Sequence, residues 1–408
     1  NLNLSQIKYL LIKEEDLITD NMGKKIIILG GGFGGLCISN ILRKNLDHTN
    51  DIIVIDKKDY FMMGLTNLWI LDGRRRLENS KNPLTNLESK GISFIQDEIT
   101  KIDTKSKVVK MLHHADESYD FLVIALGAEM STKKILGFNT HNNFNLYDGE
   151  SIPSLRKKIL SLEKGKIAIV IMGFPYKCPP APYESALIID QILRNFERRN
   201  QIDIDIYFPS TLPLPVAGEQ PNSKLIFMLN KQNINLFPNY SLKEVYNHNL
   251  EFYNGQKKEY DILVAIPFHL PPLVLKKSGL IESKSNWISV DKFTLETRFE
   301  DVFAIGDVTE IKINKTIAVP KAGIFAEGQA RSVASQIIHK ISNGSQEFPI
   351  IEFDGKGFCF MEAGNGKAGF IDTDFYNSDG AITILKEPST IYYKKKINFE
   401  KQRIKEWL

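Results

Sequence analysis

Lys25-Ile26-Ile27-Ile28-Leu29-Gly30-Gly31-Gly32-Phe33-Gly34-Gly35 is the stretch on which the fold turns. Five residues of continuous apolar character suit a strand buried on both faces of a parallel sheet. The glycine run then opens a helix that reaches to about Lys44, and Asp51-Ile52-Ile53-Val54-Ile55-Asp56 supplies a second buried strand. Together they make a β-α-β unit. Within Gly30-x-Gly32-x-x-Gly35, Gly30 permits the tight turn and Gly32 lets backbone approach a pyrophosphate. Gly35 allows close helix–strand packing, and Phe33 and Gly34 complete the turn. The helix N-terminus offers amide donors to phosphates. Asp56, followed by Lys57, closes the second strand where an acid would accept hydrogen bonds from ribose hydroxyls.

Outward from this unit, Tyr119–Ala128 is a further buried strand that ends in small residues, Ala125 and Gly127 among them. Lys166–Met172 opens a second α/β unit, continued by strands at 204–208 and 262–266. Asp301-Val302-Phe303-Ala304-Ile305-Gly306-Asp307 returns to the character of the first unit, and a helix from about Ala322 to Ser342 follows. Residues 1–21 read as an N-terminal extension, 22–128 and 290–345 as two parts of one dinucleotide-binding domain, and 129–289 as a second Rossmann-like domain. Residues 346–408 form a C-terminal α+β region with a basic amphipathic helix. The chain is long enough, at 408 residues, for several full cores. Its 52 basic and 49 acidic residues are too balanced for a nucleic-acid binder. An apolar run long enough to cross a membrane is missing, as is a secretory leader, so the expected address is cytoplasmic. Three cysteines cannot make a disulfide framework, and the histidines show no metal-ligand spacing, so no metal site is expected.

The glycine fingerprint, Ala125-Leu126-Gly127-Ala128 and Ala304-Ile305-Gly306-Asp307 together resemble the three-part pattern of FAD-binding flavoproteins with two dinucleotide-binding domains, the glutathione-reductase-like arrangement. The resemblance implies FAD, with Asp307 holding the ribityl chain. In such proteins that oxidise NAD(P)H, a second glycine fingerprint follows the strand at 166–172. Here the turn reads Gly173-Phe174-Pro175-Tyr176-Lys177-Cys178-Pro179-Pro180. A bulky Phe174 and prolines without amide donors make a poor pyrophosphate cradle. The nicotinamide site is therefore expected to be lost, which argues against a type II NADH dehydrogenase.

Cys178-Pro179-Pro180-Ala181-Pro182-Tyr183-Glu184 fixes a sulfur in an extended, turning chain, with Glu184 at the start of a helix expected over Ser185–Arg194. Glu184 there can face the thiol as a proton acceptor. Cys359 lies far along the chain in Gly355-Lys356-Gly357-Phe358-Cys359-Phe360-Met361-Glu362, and spacing alone does not say whether the two cysteines meet. These strings, with Gly364-Asn365-Gly366-Lys367-Ala368 and Val319-Pro320-Lys321-Ala322-Gly323, resemble the sulfide-oxidising flavoproteins. That group comprises sulfide:quinone oxidoreductase and the flavoprotein subunit of flavocytochrome c sulfide dehydrogenase. The resemblance implies a Cys178–Cys359 redox disulfide beside the flavin, attacked by sulfide or another small sulfur donor to give a persulfide and finally polysulfide. Two electrons leave from the freed thiolate, assigned to Cys359, and Lys321 sits near the pyrimidine edge of the flavin. Thiolate being the reactive form, a base such as Glu184 and a cation such as Lys321 make chemical sense.

Two departures from the family pattern stand out. The third cysteine that many sulfide:quinone oxidoreductases carry near the strand ending at Ala128 is missing, and Cys37 reads as core packing. Residues 38–177 contain no cysteine to link a flavin covalently, so noncovalent FAD is expected. His269, in Pro267-Phe268-His269-Leu270-Pro271-Pro272, resembles the loop covering the flavin in the family and is a proton-shuttle candidate. Phe358 and Phe360 could line a quinone slot. In the terminal segment, Ile397, Ile404, Trp407 and Leu408 share a helical face among basic residues, which suits either an anionic membrane surface or docking on the protein itself. The expected activity is FAD-dependent sulfide oxidation with a membrane quinone as acceptor. The alternatives are a cytochrome c or other protein acceptor, or a redox-responsive flavin-binding module without turnover. A homo-oligomer is left open.

Overall fold

The computed structural model describes residues 23–138, 141–246, 248–282, 285–315 and 317–408. The N-terminal extension read at 1–21 lies outside the described residues. Two five-stranded parallel sheets organise the chain. The first runs in the order Val302–Ala304, Phe121–Ile124, Lys25–Leu29, Asp51–Asp56, Ser93–Gln96. In its centre Ile27 pairs with Ile53 on one side and with Leu122 on the other. Side chains alternate across the sheet, so Ile26 and Ile28 face the helices Phe33–Asn45 and Gly323–Ile341, while Ile27 and Leu29 face the opposite layer. Both sets are fully buried, which explains the unbroken apolar run in the sequence.

The second sheet has the order Asn143–Asn145, Ile262–Ile266, Gly165–Ile171, Ile202–Phe208, Asn235–Pro238. Helix Ala181–Asn195 packs on it and begins four residues earlier than its sequence suggested. The reason is positional: Pro182 sits in the first turn, where a missing N–H costs nothing because that donor has no helical partner anyway. The buried strand near residue 121 is shorter than expected, Phe121–Ile124, because Gly127 turns the chain away with φ +68°.

A three-stranded antiparallel sheet, Lys356–Glu362, Ala368–Asp374 and Ile382–Ser389, closes the molecule. It leads into helix Thr390–Trp407, whose N-cap Ser389 side chain accepts the Tyr392 N–H. The apolar face of this helix docks on the protein. Trp407 is 2% exposed and meets Phe33 and Phe61 edge-on at centroid distances of 5.3 and 6.1 Å. Ile404 and Leu408 pack against the same core. None of the described helices is long and apolar enough to cross a membrane.

Trp407 therefore pins the terminal helix to the first domain. Trp407→Ala is expected to lower unfolding stability by about 3–5 kcal/mol; chemical denaturation followed by far-UV circular dichroism checks this.

Candidate active site

The glycine turn is built as close packing demands. Gly30 has φ +107° and donates its N–H to Ile55 O at 2.7 Å. A Cβ on Gly35 would lie 1.8 Å from Gly30 O, so no larger residue fits there. A Cβ on Gly32 would meet nothing within 4 Å, and the same is true of Gly127. These open faces lie where backbone can approach a ligand. The first amides of the helix, those of Phe33, Gly34 and Gly35, have no backbone acceptor among the described residues, and no side chain caps them. Asp56 accepts the Gly31 N–H at 2.7 Å and the Lys58 N–H at 2.9 Å, holding the turn while each oxygen keeps a lone pair for a further donor. Lys57 is exposed, 4.0 Å from Glu129. Phe33 stacks on Phe399 and edges Phe61 and Trp407.

Ala125 continues the sheet by donating to Leu29 O at 2.8 Å. Across the crevice, Gly306 turns with φ +74° and donates to Gln329 Oε1 at 2.6 Å. Gly306, Asp307, Lys321, Phe325 and Gln329 line a cavity at the start of helix Gly323–Ile341, whose first turn also lacks a side-chain cap. The Lys321 ammonium donates to Asp307 O at 2.6 Å and Thr309 O at 3.0 Å and lies 3.4 Å from the Trp287 ring centroid. Burial pulls its pKa down to about 8, against the opposing charges of Asp307 and Glu310.

The two remote cysteines meet. Cys178 and Cys359 are free thiols in hydrogen-bonding contact. Cys178 holds a left-handed φ of 52°, unusual outside glycine, and donates its N–H to the Lys321 carbonyl at 2.7 Å. Such a conformation costs of order 1–3 kcal/mol and persists only where surroundings over-determine it, as the flanking prolines do here. Cys359 sits mid-strand, opposite Ile371. The hydrogen bond drives the two thiols apart in acidity. It raises Cys178 well above the ordinary thiol range, with burial adding to the rise. It lowers Cys359, against the effect of burial.

Glu184 is buried and its charge acts on both sulfurs, but it is not alone there. It accepts the Glu362 N–H at 2.8 Å and bonds the ammonium of Lys396, which also lies 3.1 Å from Glu362 Oε1. Glu362 further accepts the Trp69 indole N–H at 2.7 Å and Arg74 Nη2 at 2.6 Å. Burial raises the Glu184 carboxyl, and Lys396 pulls it back.

His269 lies on a short strand, Phe268–Leu270, rather than in a loop, with Met130 opposite it. Its Nδ1 is 3.0 Å from Pro267 O, an acceptor, so Nδ1 carries the hydrogen and Nε2 a lone pair. Nε2 is buried without a partner among the described residues. Burial first, then Lys177 and Lys321, press its pKa down to about 3. The lowered pKa favours the neutral imidazole, with Nε2 left as an acceptor. Tyr147, which the sequence reading missed, edges His269 at 5.3 Å and donates its hydroxyl to Lys177 O at 2.7 Å. Phe358 and Phe360 belong to an aromatic cluster with Phe370 and Phe399, which the terminal helix completes.

The second sheet's glycine turn differs from the first. The opening amides of helix Ala181–Asn195 are spent internally: Ala181 on Cys178 O, and Tyr183 and Glu184 on Pro180 O. A Cβ on Gly173 would lie 2.6 Å from the Phe268 ring. The helix start therefore does not offer the uncapped amides that the first glycine turn does, and Pro175, Pro179 and Pro180 supply none.

Residues 24–173 match the pyridine nucleotide-disulphide oxidoreductase family. The solved sulfide:quinone oxidoreductase of Aquifex aeolicus superposes with a TM-score of 0.83 at 24% identity, covering 93% of this chain and 90% of that one. The chain shares the fold of the sulfide:quinone oxidoreductases. In sequence it is 25% identical to the mitochondrial sulfide:quinone oxidoreductase of Dictyostelium discoideum over 317 residues, 72% of this chain and 67% of the relative. It is likewise 25% identical to the sulfide-quinone reductase of Aquifex aeolicus over 346 residues, 80% of this chain and 79% of the relative.

The neutral His269 has a measurable consequence. In the unfolded chain it protonates below its ordinary 6.5, whereas the folded protein resists protonation down to about 3. Unfolded chains therefore bind more protons across that window, and stability falls as pH drops through it. Between pH 7 and 5 this group is expected to cost about 2 kcal/mol. Urea unfolding at the two pH values should show the loss in the parent protein and a smaller one in His269→Gln.

Proposed function

We propose that this protein is an FAD-dependent oxidoreductase that oxidises sulfide to polysulfide through Cys178 and Cys359 and passes the electrons to a quinone. The observation that carries the reading is the contact between two sulfurs from distant segments, with unequal acidity and a buried carboxylate beside them. The named relatives support the substrate pair.

The donor set suits noncovalent FAD. Gly30 and Gly32 would let the pyrophosphate approach the turn, and Phe33, Gly34 and Gly35 would meet it with their uncapped amides. Asp56 and Lys57 would hold the ribose, and Ala125 and Gly127 would form the crevice wall. Gly306 and Asp307 would take the ribityl chain, and Lys321 the ring edge. The open faces of Gly32 and Gly127 are where a side chain would block such a ligand. When bound, the flavin supplies a two-electron sink. The residues do the rest. In the oxidised pair, hydrosulfide attacks Cys178, the sulfur–sulfur bond breaks, and a persulfide forms on Cys178 while Cys359 leaves as thiolate. Charge and atoms balance, and the persulfide proton passes to Glu184. Thiolate leaves best from the sulfur of lower pKa, which is Cys359. His269, neutral, accepts a hydrogen bond in the pocket and stays uncharged.

We place the quinone against Phe358 and Phe360, edge-to-face apolar rings that neighbour Cys359 in the same strand and point to the sheet's other face. Contact with a membrane from the cytoplasmic side would deliver it. The terminal helix has already spent Trp407, Ile404 and Leu408 on the protein core, so that contact would use the exposed Phe227, Ile382, Ile384 and Ile391.

Cys178→Ser and Cys359→Ser are each expected to abolish bleaching of the flavin by sulfide while leaving FAD bound, as stopped-flow absorbance reads directly. Full bleaching in either variant would sink the mechanism. NADH should bleach the flavin at a negligible rate, since the helix after the second glycine turn has its opening amides already bonded and prolines in place of donors.

A further inference from the structure

Lys396 is 2% exposed, a depth at which an unpaired ammonium would not remain charged. It comes from the terminal helix and inserts between two elements that otherwise belong to different parts of the molecule. One is helix Ala181–Asn195, which follows Cys178 and carries Glu184. The other is strand Lys356–Glu362, which carries Cys359 and, three residues on, Glu362. The ammonium bonds Glu184 Oε1 and lies 3.1 Å from Glu362 Oε1, while Glu184 also accepts the Glu362 N–H at 2.8 Å. Each cysteine segment thus contributes one carboxylate to a single cation.

We infer that Lys396 is a positioning residue for the cysteine pair, clasping the two segments at the spacing that lets their sulfurs touch. The inference deepens the sulfide-oxidation reading and rests on it. Two carboxylates this close to one another repel, and the cation between them opposes this, holding Glu362 below its ordinary value and offsetting part of the rise that burial imposes on Glu184. Burial opposes the charge on Lys396, but Glu184 and Glu362 outweigh it and hold the ammonium well above its ordinary range. Burial likewise raises Glu362, and Lys396 and Arg74 more than reverse it. The other groups facing the sulfurs are Lys177 and Tyr176 on the cysteine turn and Tyr147 beyond it, with Asp307 acting on Lys177 and Tyr147. None of them bridges the two segments as Lys396 does.

Removing the ammonium leaves Glu184 facing Glu362 in a buried site; Arg74 still holds the Glu362 carboxylate, so Glu184 is the group expected to take up a proton. Glu184 then no longer accepts the persulfide proton at neutral pH. The test uses the flavin-loaded protein. In Lys396→Met the acid limb of the sulfide-bleaching rate should move upward by about one pH unit or more, while Lys396→Arg keeps the parent profile. Infrared difference spectra of the resting Lys396→Met protein, taken without sulfide, should show the carbonyl stretch of a protonated buried carboxyl that the parent lacks. Should Lys396→Met fail to fold, Glu362→Gln tests the same clasp with opposite sign. It relieves Glu184 of its repelling neighbour, and the acid limb should move to lower pH. An unmoved acid limb in the folded variants, or no carboxyl band in Lys396→Met, overturns the clasp. Failure of the parent protein to bleach with sulfide would instead sink the sulfide reading, and the infrared band would still judge the clasp.

Discussion

Two thiols can share a proton only when the surrounding chain forces them together, and here nothing local does so. Cys178 hangs from a turn of the second parallel sheet, whereas Cys359 lies on an antiparallel sheet near the end of the chain. Their contact depends on three restraints acting at once. The Lys321 carbonyl grips the Cys178 N–H, the prolines stiffen the turn in a left-handed backbone, and buried charges tie the two segments below the sulfurs. The unequal acidity of the pair follows from that enforced closeness rather than from any special property of either residue.

The two glycine turns of the molecule show how the same scaffold is opened or closed to phosphate. In the first, the leading amides of the helix are left without protein partners, and glycine leaves space above them. In the second, prolines remove donors, and the amides of Ala181, Tyr183 and Glu184 at the helix start bond back to Cys178 and Pro180. The turn that would have bound a second dinucleotide is rebuilt to hold a sulfur atom. Helix Ala181–Asn195 consequently begins with Pro182, Tyr183 and Glu184 buried against the core, and its first turn faces the cysteine pair.

Much of this was legible in sequence because it is written in local patterns. The apolar run Lys25–Leu29, the glycine spacing and the Ala304–Asp307 string each carry their structural context with them, and the parallel sheet follows. The proline-flanked Cys178 announced a fixed sulfur, although its helix begins four residues sooner than the prolines suggested. The charge clasp was not legible. Lys394, Lys395 and Lys396 look alike in sequence, and only tertiary packing separates the buried one from its solvated neighbours. The inner face of the terminal helix runs through Lys396, Glu400 and Trp407, so hydrophobic periodicity, which counts apolar residues, passes over two of the three. Tyr147 and Glu362 were hidden for the same reason: their partners lie on other elements.

The ammonium that braces the reactive pair is also made late. A nascent chain that has emerged as far as strand Lys356–Glu362 already displays both cysteines, yet Lys396 is still in the ribosome. Until helix Thr390–Trp407 emerges and docks, Glu184 faces Glu362 without Lys396, and Arg74 is the cation left to Glu362. The order of synthesis therefore places the bracing cation after both of the cysteines it serves.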